Sequence, residues 1–293
     1  MRTRFSWCRP MFFWISTTQL AICWLMSSSV RAFNASSRLI CTSEGRAETT
    51  AFDRLSDYRR NGRRLSILGF AVSLGMAMSP KRIYGRLLRA RGPARWWPGE
   101  TAFEVCVGAV LVQNTAWPNA ASALRALEER GLLSYEGLQG MTADEIAPII
   151  RSCGTFNVKA RRLAAFVDFL GRHYEGRVEN MAREEPWELR RRLLAVPGVG
   201  RETADCIALY AAGHPVFVVD GYTRRVFSRL GLIRGDESYD EVQRFFMRRL
   251  PRDSSLFNDY HAQIVGLAKE SCRARPLCRE CPLDDVCPKR GVA

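Results

Sequence analysis

The regular spacing of apolar residues begins at Lys81, after which they recur three and four positions apart, as on one face of an α-helix. Thr142 with Glu145 predicts a capping box, and Pro186 suits a first helical turn. Only residues 216–219 favour an extended segment, which is too short for a sheet. The pattern therefore predicts an all-α fold. The recurrent apolar segments are 87–88, 103–112, 120–127, 146–150, 163–170, 189–194, 207–211 and 226–230.

The charge of the chain indicates a polyanionic partner. The formal net charge is +14 and the isoelectric point about 9.7. Half of the excess lies in residues 1–80, which hold 11 Arg, no Lys and 4 acidic residues. Charge alone leaves open whether the partner is a nucleic acid or a membrane surface.

Four cysteines near the end of the chain form a compact C-x5-C-x2-C-x5-C array: Cys272, Cys278, Cys281 and Cys287. Four thiolates suit either a tetrahedral Zn²⁺ site or a [4Fe–4S] cluster. Zinc ribbons usually pair two C-x2-C knuckles, and this array has only one, so the spacing favours the cluster. A disulfide pair is the third alternative, although the chain otherwise lacks the pattern of a disulfide-rich secreted protein.

Residues 1–78 are predicted to be an extension separate from the domain at 79–293. Arg2, Arg4 and Arg9 precede an apolar run, which resembles a secretory signal, and the Arg- and Ser-rich composition also suits an organelle transit peptide. Translation starting at Met76 or Met78 is the alternative we favour. Reduced thiols belong in a reducing compartment, so we expect a cytoplasmic, nucleoid-associated protein if it is bacterial, with no membrane contact by the domain.

A tight glycine turn divides two predicted helices at about residues 187–212. Gly198 and Gly200 flank Val199, and a helix is predicted to begin at Arg201 or Glu202. Glycines can adopt backbone angles forbidden to other residues, and bare N–H groups at a helix start can approach a phosphate. This layout predicts a helix-hairpin-helix that binds DNA through residues 198–201 and Thr203, without reading base sequence.

Asp220 follows an apolar segment and precedes a predicted helix, which is also the position of an ordinary helix N-cap. The hairpin, Asp220 and the four-cysteine array, together with residues 112–115 and 153–160, stand in an order that resembles the endonuclease III-like branch of the helix-hairpin-helix DNA glycosylase superfamily. The resemblance spans about residues 81–289. It implies two helical subdomains flanking a DNA-binding cleft, one mainly from residues 108–212, and a structural iron–sulfur loop at 272–287.

The resemblance also implies roles for single residues. Asp220 matches the aspartate that stabilises positive charge on the sugar while it orients or deprotonates water, after the damaged base has been flipped from the duplex. Gln113 matches a glutamine that helps to fill the gap in the stack. Bifunctional members carry a lysine where this chain has Glu202, and a carboxylate cannot form the imine of a lyase. We therefore expect a monofunctional glycosylase, with Lys159 and Lys269 as unsuited substitutes, Lys269 lying beside the cluster.

Tryptophans near Gln113 suggest the substrate. Trp96, Trp97 and Trp117 could be core residues, or they could stack on 3-methyladenine, whose positive charge Glu202 would also attract. The residues 96–98, 113–117 and 198–205 resemble the clade of endonuclease III-like 3-methyladenine glycosylases. Members of that clade need not carry a cluster, and the first cysteine gap is one residue shorter than is usual in endonuclease III.

Several alternatives stay open. They are a bifunctional enzyme acting on oxidised pyrimidines, a mismatch-adenine glycosylase, and a non-catalytic DNA-binding protein. The expected partner is double-stranded DNA containing a damaged base, and acting on one base requires no dimer, so we expect a monomer. Tyr260 and His261, on the helix before the cysteines, receive no role from the sequence.

Overall fold

The computed structural model describes residues 78–94 and 99–292, and within them all regular secondary structure is helical. The predicted all-α fold is confirmed, and no strand occurs in these two ranges. A wider turn at Ile207–Ala211 continues α8, and single 3₁₀ turns lie at Arg151–Cys153, Val178–Arg183 and Cys278–Glu280. The helices are α1 (Pro80–Arg91), α2 (Ala102–Leu111), α3 (Trp117–Glu128), α4 (Tyr135–Leu138), α5 (Ala143–Ile146), α6 (Phe156–Tyr174), α7 (Pro186–Ala195), α8 (Arg201–Cys206), α9 (Gly221–Arg229), α10 (Tyr239–Met247) and α11 (Ser254–Glu270).

Local sequence signals account for several helix starts. Thr142 and Glu145 form the predicted reciprocal capping box at α5, and Pro186 occupies the first turn of α7. Ser238 and Glu241 form a second capping box at α10. Each box satisfies backbone N–H groups that a helix start leaves without an intrahelical acceptor.

Buried side chains form separate clusters that correspond to the two predicted subdomains. One cluster combines α1 with α9, α10 and α11 and reaches Leu283. Two further clusters lie among α2 to α8, centred on residues such as Phe166 and Leu127. Because α1 packs with helices from the far end of the chain, Tyr260 can donate a hydrogen bond to the Pro80 carbonyl at 2.7 Å.

Residues 216–219 are an extended segment that passes from one subdomain to the other. Val216 belongs to a cluster of the α2–α8 subdomain, whereas Phe217, Val218 and Val219 are buried in the α1/α9–α11 cluster. Gln243 donates to the Phe217 carbonyl at 2.8 Å, which replaces a sheet partner. The crossing delivers Asp220 to the boundary between the subdomains.

Some sequence predictions fall outside the described residues. These are the identity of residues 1–77, including the alternative start at Met76, and the roles of Trp96 and Trp97. Among the helices in the two described ranges, none combines the length and apolar character needed to cross a bilayer.

Candidate active site

Asp220 caps helix α9 with one carboxylate oxygen and leaves the other for a different partner. Its Oδ1 accepts a hydrogen bond from the Thr223 backbone N–H at 2.7 Å. Its Oδ2 lies 3.5 Å from Nε2 of His261, on α11, and both side chains are largely buried. The N-cap interpretation and the catalytic one are therefore compatible, because each uses a different oxygen.

A cavity of about 480 Å³ opens at the subdomain boundary and exposes this carboxylate. Glu202, from the first turn of α8, lies in the same wall, and so does Trp117, from the first turn of α3. The Trp117 ring packs close to Gly108, at which a β-carbon would lie 3.7 Å from the ring. The structure thus brings together an acidic pair and an indole that are separated by about a hundred residues in the chain.

The two carboxyl groups experience opposite environments. Burial favours a higher pKa for Asp220, but the nearby His261 and the hydrogen bonds from Thr223 outweigh it, and the pKa lies below its ordinary value. The pKa of Glu202 is raised, first by desolvation in the cavity and then by the charge of Asp220, while His261 opposes the rise. The Glu202 side chain stays accessible to solvent at the cavity mouth. Asp220 is therefore the more readily ionised of the pair.

Two cationic side chains that line the cavity lie over the ring of Tyr222. The Cζ of Arg225 lies 5.2 Å from the centre of the Tyr222 ring, and the Nζ of Lys269 lies 5.9 Å from it. Arg225 also donates to the carbonyls of Cys272 and Ala268, at 2.8 and 3.1 Å. Lys269 lines the cavity wall from the last turn of α11, three residues before Cys272, and its position beside a cluster stays a prediction.

Lys159 is buried away from the cavity. Its ammonium donates to the carbonyls of Leu111, at 2.9 Å, and Cys153. Lys159 therefore satisfies the carbonyls at the end of α2 and in the turn before α6, as a structural residue.

The hairpin has the predicted layout, with α7 ending at Ala195 and α8 beginning at Arg201. Gly198 has φ +84°, in the region that favours glycine, and a β-carbon there would overlap the Arg162 side chain. Gly200 is different, since its φ of −88° is accessible to any residue, which corrects the expectation of a special conformation at both glycines. A β-carbon at Gly200 would meet nothing within 4 Å, so Gly200 lies at an open part of the surface.

Gln113 lies against this hairpin. Its amide nitrogen donates to the Gly198 carbonyl at 3.1 Å and to the Thr203 hydroxyl at 2.9 Å, and its amide oxygen accepts from Arg162. A smaller cavity of about 340 Å³ is lined by these residues and by Glu202. Gln113 thus braces the hairpin in the free protein, next to the acidic cavity.

The other residues predicted to bind DNA differ in which of their groups are accessible. The Val199 side chain is buried and its N–H donates to the Val196 carbonyl, so Val199 shapes the hairpin. The Thr203 side chain is also buried, which leaves its backbone N–H in the first turn of α8. Arg201 is exposed and pairs with Asp240 at 3.0 Å.

A network of ion pairs and hydrogen bonds links the two hairpin helices to α10. Asp240 also bonds Arg190, which in turn bonds Asp205 at 2.7 Å. Asp205 is completely buried and accepts a further hydrogen bond from Gln243 at 2.7 Å. The network connects α7 and α8 to α10, and so fixes the hairpin relative to the other subdomain.

The four cysteines of the array lie together after α11. Burial is the main cause of the raised pKa values of Cys281 and Cys287, and the neighbouring thiols of Cys272 and Cys278 raise them further. Arg229 approaches Cys272 Sγ at 3.3 Å, and its guanidinium donates to the Arg273 carbonyl at 2.6 Å. The backbone N–H of Lys289 approaches Cys287 Sγ at 3.4 Å.

This donor set fits the chemistry of a thiolate-bound group, because N–H donors to sulfur stabilise thiolates. None of the seven cysteines in the described ranges is in a disulfide. Within the same ranges, no three His, Cys, Asp or Glu side chains are arranged to hold a single metal ion. In a cubane cluster each cysteine binds a different iron, so its four sulfurs stand farther apart than the ligands of one ion.

A further cavity of about 700 Å³ lies on the α4–α6 surface, remote from these groups. Its ionisable lining residues, Asp168 and Arg172, are an exposed pair within one helix. Surface pairs of this kind are common on helices. The acidic cavity at the subdomain boundary is therefore the better candidate for chemistry.

These features define the general class of helix-hairpin-helix proteins: two all-helical subdomains, a glycine hairpin, and an acidic cavity at the subdomain boundary. The family model described as HhH-GPD superfamily base excision DNA repair protein matches residues 107–252. A Methanocaldococcus jannaschii protein provisionally named a DNA repair glycosylase is 42% identical over 208 residues, covering 70% of this chain and 94% of its own. The chain therefore belongs to the HhH-GPD superfamily of base excision DNA repair glycosylases, in its endonuclease III-like branch.

Solved structures agree with this assignment. The H. pylori 3-methyladenine DNA glycosylase bound to 1,N6-ethenoadenine has a TM-score of 0.59 and 28% identity, covering 66% of this chain and 98% of that one. A trapped covalent intermediate of endonuclease III with DNA has a TM-score of 0.62 and 26% identity, covering 73% and 97%.

The sequence assigned no role to His261, which lines the cavity, or to Tyr210, which contacts it. His261 lies on α11, and its hydrogen bond with Tyr210 reaches the turn that continues α8. An aromatic or imidazole residue on an apolar helix face looks like core in a single sequence. Only its proximity to the Asp220 carboxylate distinguishes His261 from a core residue.

Proposed function

We propose that this protein is a monofunctional DNA glycosylase that hydrolyses the N-glycosidic bond of a flipped-out alkylated purine. The main support for the proposal is that Asp220, Glu202 and Trp117 line the same cavity. Double-stranded DNA with a damaged base is the substrate, and one protomer suffices because only one base is handled at a time.

Asp220 is the proposed catalytic residue. Departure of the base leaves positive charge on the sugar, and a buried ionised carboxylate stabilises that charge most strongly where water is excluded. The same carboxylate orients or deprotonates the water that attacks C1′. The lowered pKa of Asp220 supports this role, since the group is ionised at neutral pH.

Glu202 and Trp117 are proposed to bind the base. An alkylated purine such as 3-methyladenine carries a delocalised positive charge, which gains from an indole face and from a nearby carboxylate. Trp96 and Trp97, which lie outside the described residues, are also proposed to stack on the base. The H. pylori relative, which is named a 3-methyladenine glycosylase, supports the alkylated purine over other lesions.

The hairpin is proposed to hold the DNA backbone. Backbone N–H groups of Arg201 and Thr203, in the first turn of α8, have no intrahelical acceptor and suit a phosphate oxygen. Gly200 leaves open surface for that approach, and Gln113 is proposed to enter the gap left by the flipped base.

Cys272, Cys278, Cys281 and Cys287 are proposed to hold a [4Fe–4S] cluster, whose role is to tie the C-terminal loop to α9 and α11. Protein purified without oxygen should be brown and contain about four irons per chain. A colourless protein with one zinc per chain would contradict this assignment, and Cys281→Ser should lower the metal content under the same conditions.

A second candidate function is a bifunctional glycosylase and lyase acting on oxidised pyrimidines. The specific observation in its favour is Lys269 in the cavity wall. Its amine could attack C1′ in place of the lysine that Glu202 replaces, and β-elimination would then cut the strand.

One experiment separates these functions. The full chain is incubated with duplexes carrying a single 3-methyladenine analogue, 1,N6-ethenoadenine, an oxidised pyrimidine, or adenine opposite 8-oxoguanine, and strand breaks are scored with and without alkali. Breaks on the alkylated duplexes that need alkali are expected. Direct breaks that disappear in Lys269→Ala and persist in Lys159→Ala would establish the lyase instead.

The remaining alternatives have their own outcomes. Release of adenine opposite 8-oxoguanine alone would indicate a mismatch glycosylase. Tight binding to damaged duplex with no base release on any substrate would indicate a non-catalytic binding protein and overturn the proposal.

A further inference from the structure

His261 is buried directly beneath the carboxylate of Asp220 and lines the same cavity. Only 5% of the residue is exposed, and its Nε2 atom is buried without a hydrogen bond within the described residues. Oδ2 of Asp220 lies 3.5 Å from this nitrogen, which is slightly long for a hydrogen bond. Catalytic contacts are often long in a free enzyme and shorten in the substrate complex.

The other ring nitrogen of His261 is held by Tyr210. The phenol oxygen is within hydrogen-bond distance of Nδ1. Burial raises the pKa of Tyr210 well above its ordinary value, and the charges of Cys206 and Asp220 raise it further, so the phenol keeps its proton.

This contact is compatible with two protonation states of His261 that carry a hydrogen on Nε2. If the imidazole is neutral and accepts from the phenol at Nδ1, its proton is on Nε2. If the imidazole is protonated, both nitrogens carry hydrogens and the phenol oxygen accepts. In either state Nε2 carries a hydrogen and lies 3.5 Å from Oδ2 of Asp220.

Asp220 is consequently held from two helices. Its Oδ1 is fixed by the N-terminal turn of α9, and its Oδ2 faces the donor on α11. With one oxygen on each helix, rotation of the carboxyl group is restricted, and the ionised form has a donor on both sides.

We propose that His261 is the positioning residue of this active site, holding Asp220 Oδ2 in the orientation required for base release, and that Tyr210 fixes the hydrogen of its Nε2 atom. The catalytic part of the proposal rests on the glycosylase function proposed above, whereas the contact itself can be tested in the free protein.

The charges around the pair are consistent with this role. Glu202 and Cys206 face it from α8, Tyr210 from the turn that follows, and Lys269 from α11. Burial opposes ionisation of Asp220, and His261 is the foremost of the groups that lower its pKa.

The decisive experiment is a ¹³C NMR titration of the full chain labelled at aspartate carboxyl carbons, with Asp220→Asn to identify the Asp220 signal. In His261→Gln, Asp220 should titrate about one pH unit higher or more, because burial remains while its main donor is weakened. Tyr210→Phe should give a smaller shift in the same direction.

His214→Gln is the matched control. His214 is also a buried histidine, but its ring contacts the Met181 carbonyl at 3.1 Å and lies outside this cavity. Its replacement should leave the Asp220 titration unchanged. An identical Asp220 titration in wild type and His261→Gln overturns the proposal, and if His261→Gln does not fold, an unchanged titration in Tyr210→Phe does so.

Single-turnover base release then tests the catalytic part. His261→Gln should slow release about tenfold at neutral pH, with unchanged affinity for damaged duplex, and move the acid limb of the pH profile upward. If wild type releases no base while the titration shifts as expected, the proposed function fails and the contact stands. If release by His261→Gln equals that of wild type, the positioning role is overturned.

Discussion

The cavity and the hairpin handle charge in opposite ways. In the cavity, the ionisable groups of Asp220, Glu202 and His261 lie close together, and the pKa values of the two carboxyl groups are shifted in opposite directions. In the hairpin, Gly198 and Gly200 have no side chain to cover the backbone. The positive N-terminal end of α8 carries only the partial charges of its backbone N–H groups. Full charges in a desolvated cavity suit bond cleavage, whereas an exposed row of backbone donors suits a phosphate chain of any sequence.

The comparison implies a division of labour between rate and binding. Substitutions in the cavity should lower the rate of base release, and substitutions in the hairpin should weaken binding to duplex. If cavity and hairpin substitutions lowered the rate of base release and the affinity for duplex equally, this division of labour would be wrong.

The largest effect is expected for Asp220→Asn. Asparagine preserves the N-cap of α9, so folding and duplex binding should persist, while single-turnover base release should fall by about 10³-fold. Asp253→Asn is the matched control, because Asp253 caps α11 in the same manner and lies outside the cavity. Loss of duplex binding in Asp220→Asn would reduce Asp220 to a structural cap.

Glu202→Gln should have the next largest effect and a characteristic dependence on pH. The ionised form of Glu202 is the one that attracts a cationic base, so wild-type activity should fall as pH drops through the raised pKa of Glu202. In the variant the acid limb should move to lower pH, toward the lowered pKa of Asp220. At neutral pH, release of a cationic base should fall about tenfold.

The substrate series supplies the control for Glu202. Release of a neutral etheno base should change much less than release of a cationic one. Glu136→Gln, at an exposed glutamate in the first turn of α4, should change neither. An equal loss on neutral and cationic bases would show that Glu202 does not act through the charge of the base.

The two hairpin glycines should respond differently to alanine. Gly200→Ala keeps an ordinary φ and meets no neighbour, so stability should be unchanged while duplex affinity falls about tenfold, or about 1.4 kcal/mol. Gly198→Ala must place a side chain at φ +84° against Arg162, so unfolding should become easier by more than about 1 kcal/mol. Denaturant unfolding and duplex titrations measure both. Unchanged affinity in Gly200→Ala would remove the hairpin from the DNA interface.

Arg201→Ala should have the smallest effect. Arg201 is exposed and already paired with Asp240, so exchanging that partner for a phosphate gains little. Affinity should fall only a few-fold, and the slope of log affinity against log salt should decrease by about 1. Arg234→Ala is a control, since Arg234 pairs with exposed Asp236 outside the hairpin. A steeper salt slope in Arg201→Ala would contradict phosphate contact by this residue.

Local features of the molecule could be predicted from the sequence, because they depend on neighbours within a few residues. Helical periodicity predicted the all-α fold, and Thr142 with Glu145 predicted a cap that the structure contains. The positive φ of Gly198 followed from a tight glycine turn, whereas the same argument was wrong for Gly200, whose openness depends on what surrounds it.

The tertiary structure alone decided which distant residues meet. Asp220 and His261 are 41 positions apart, and their contact exists because the extended crossing at 216–219 ends where α11 passes. The same packing turned Lys269 into the cavity and raised the pKa of Glu202. Spacing along the chain encodes local geometry, but desolvation and electrostatic coupling depend on distance in space, which only the packing of helices sets.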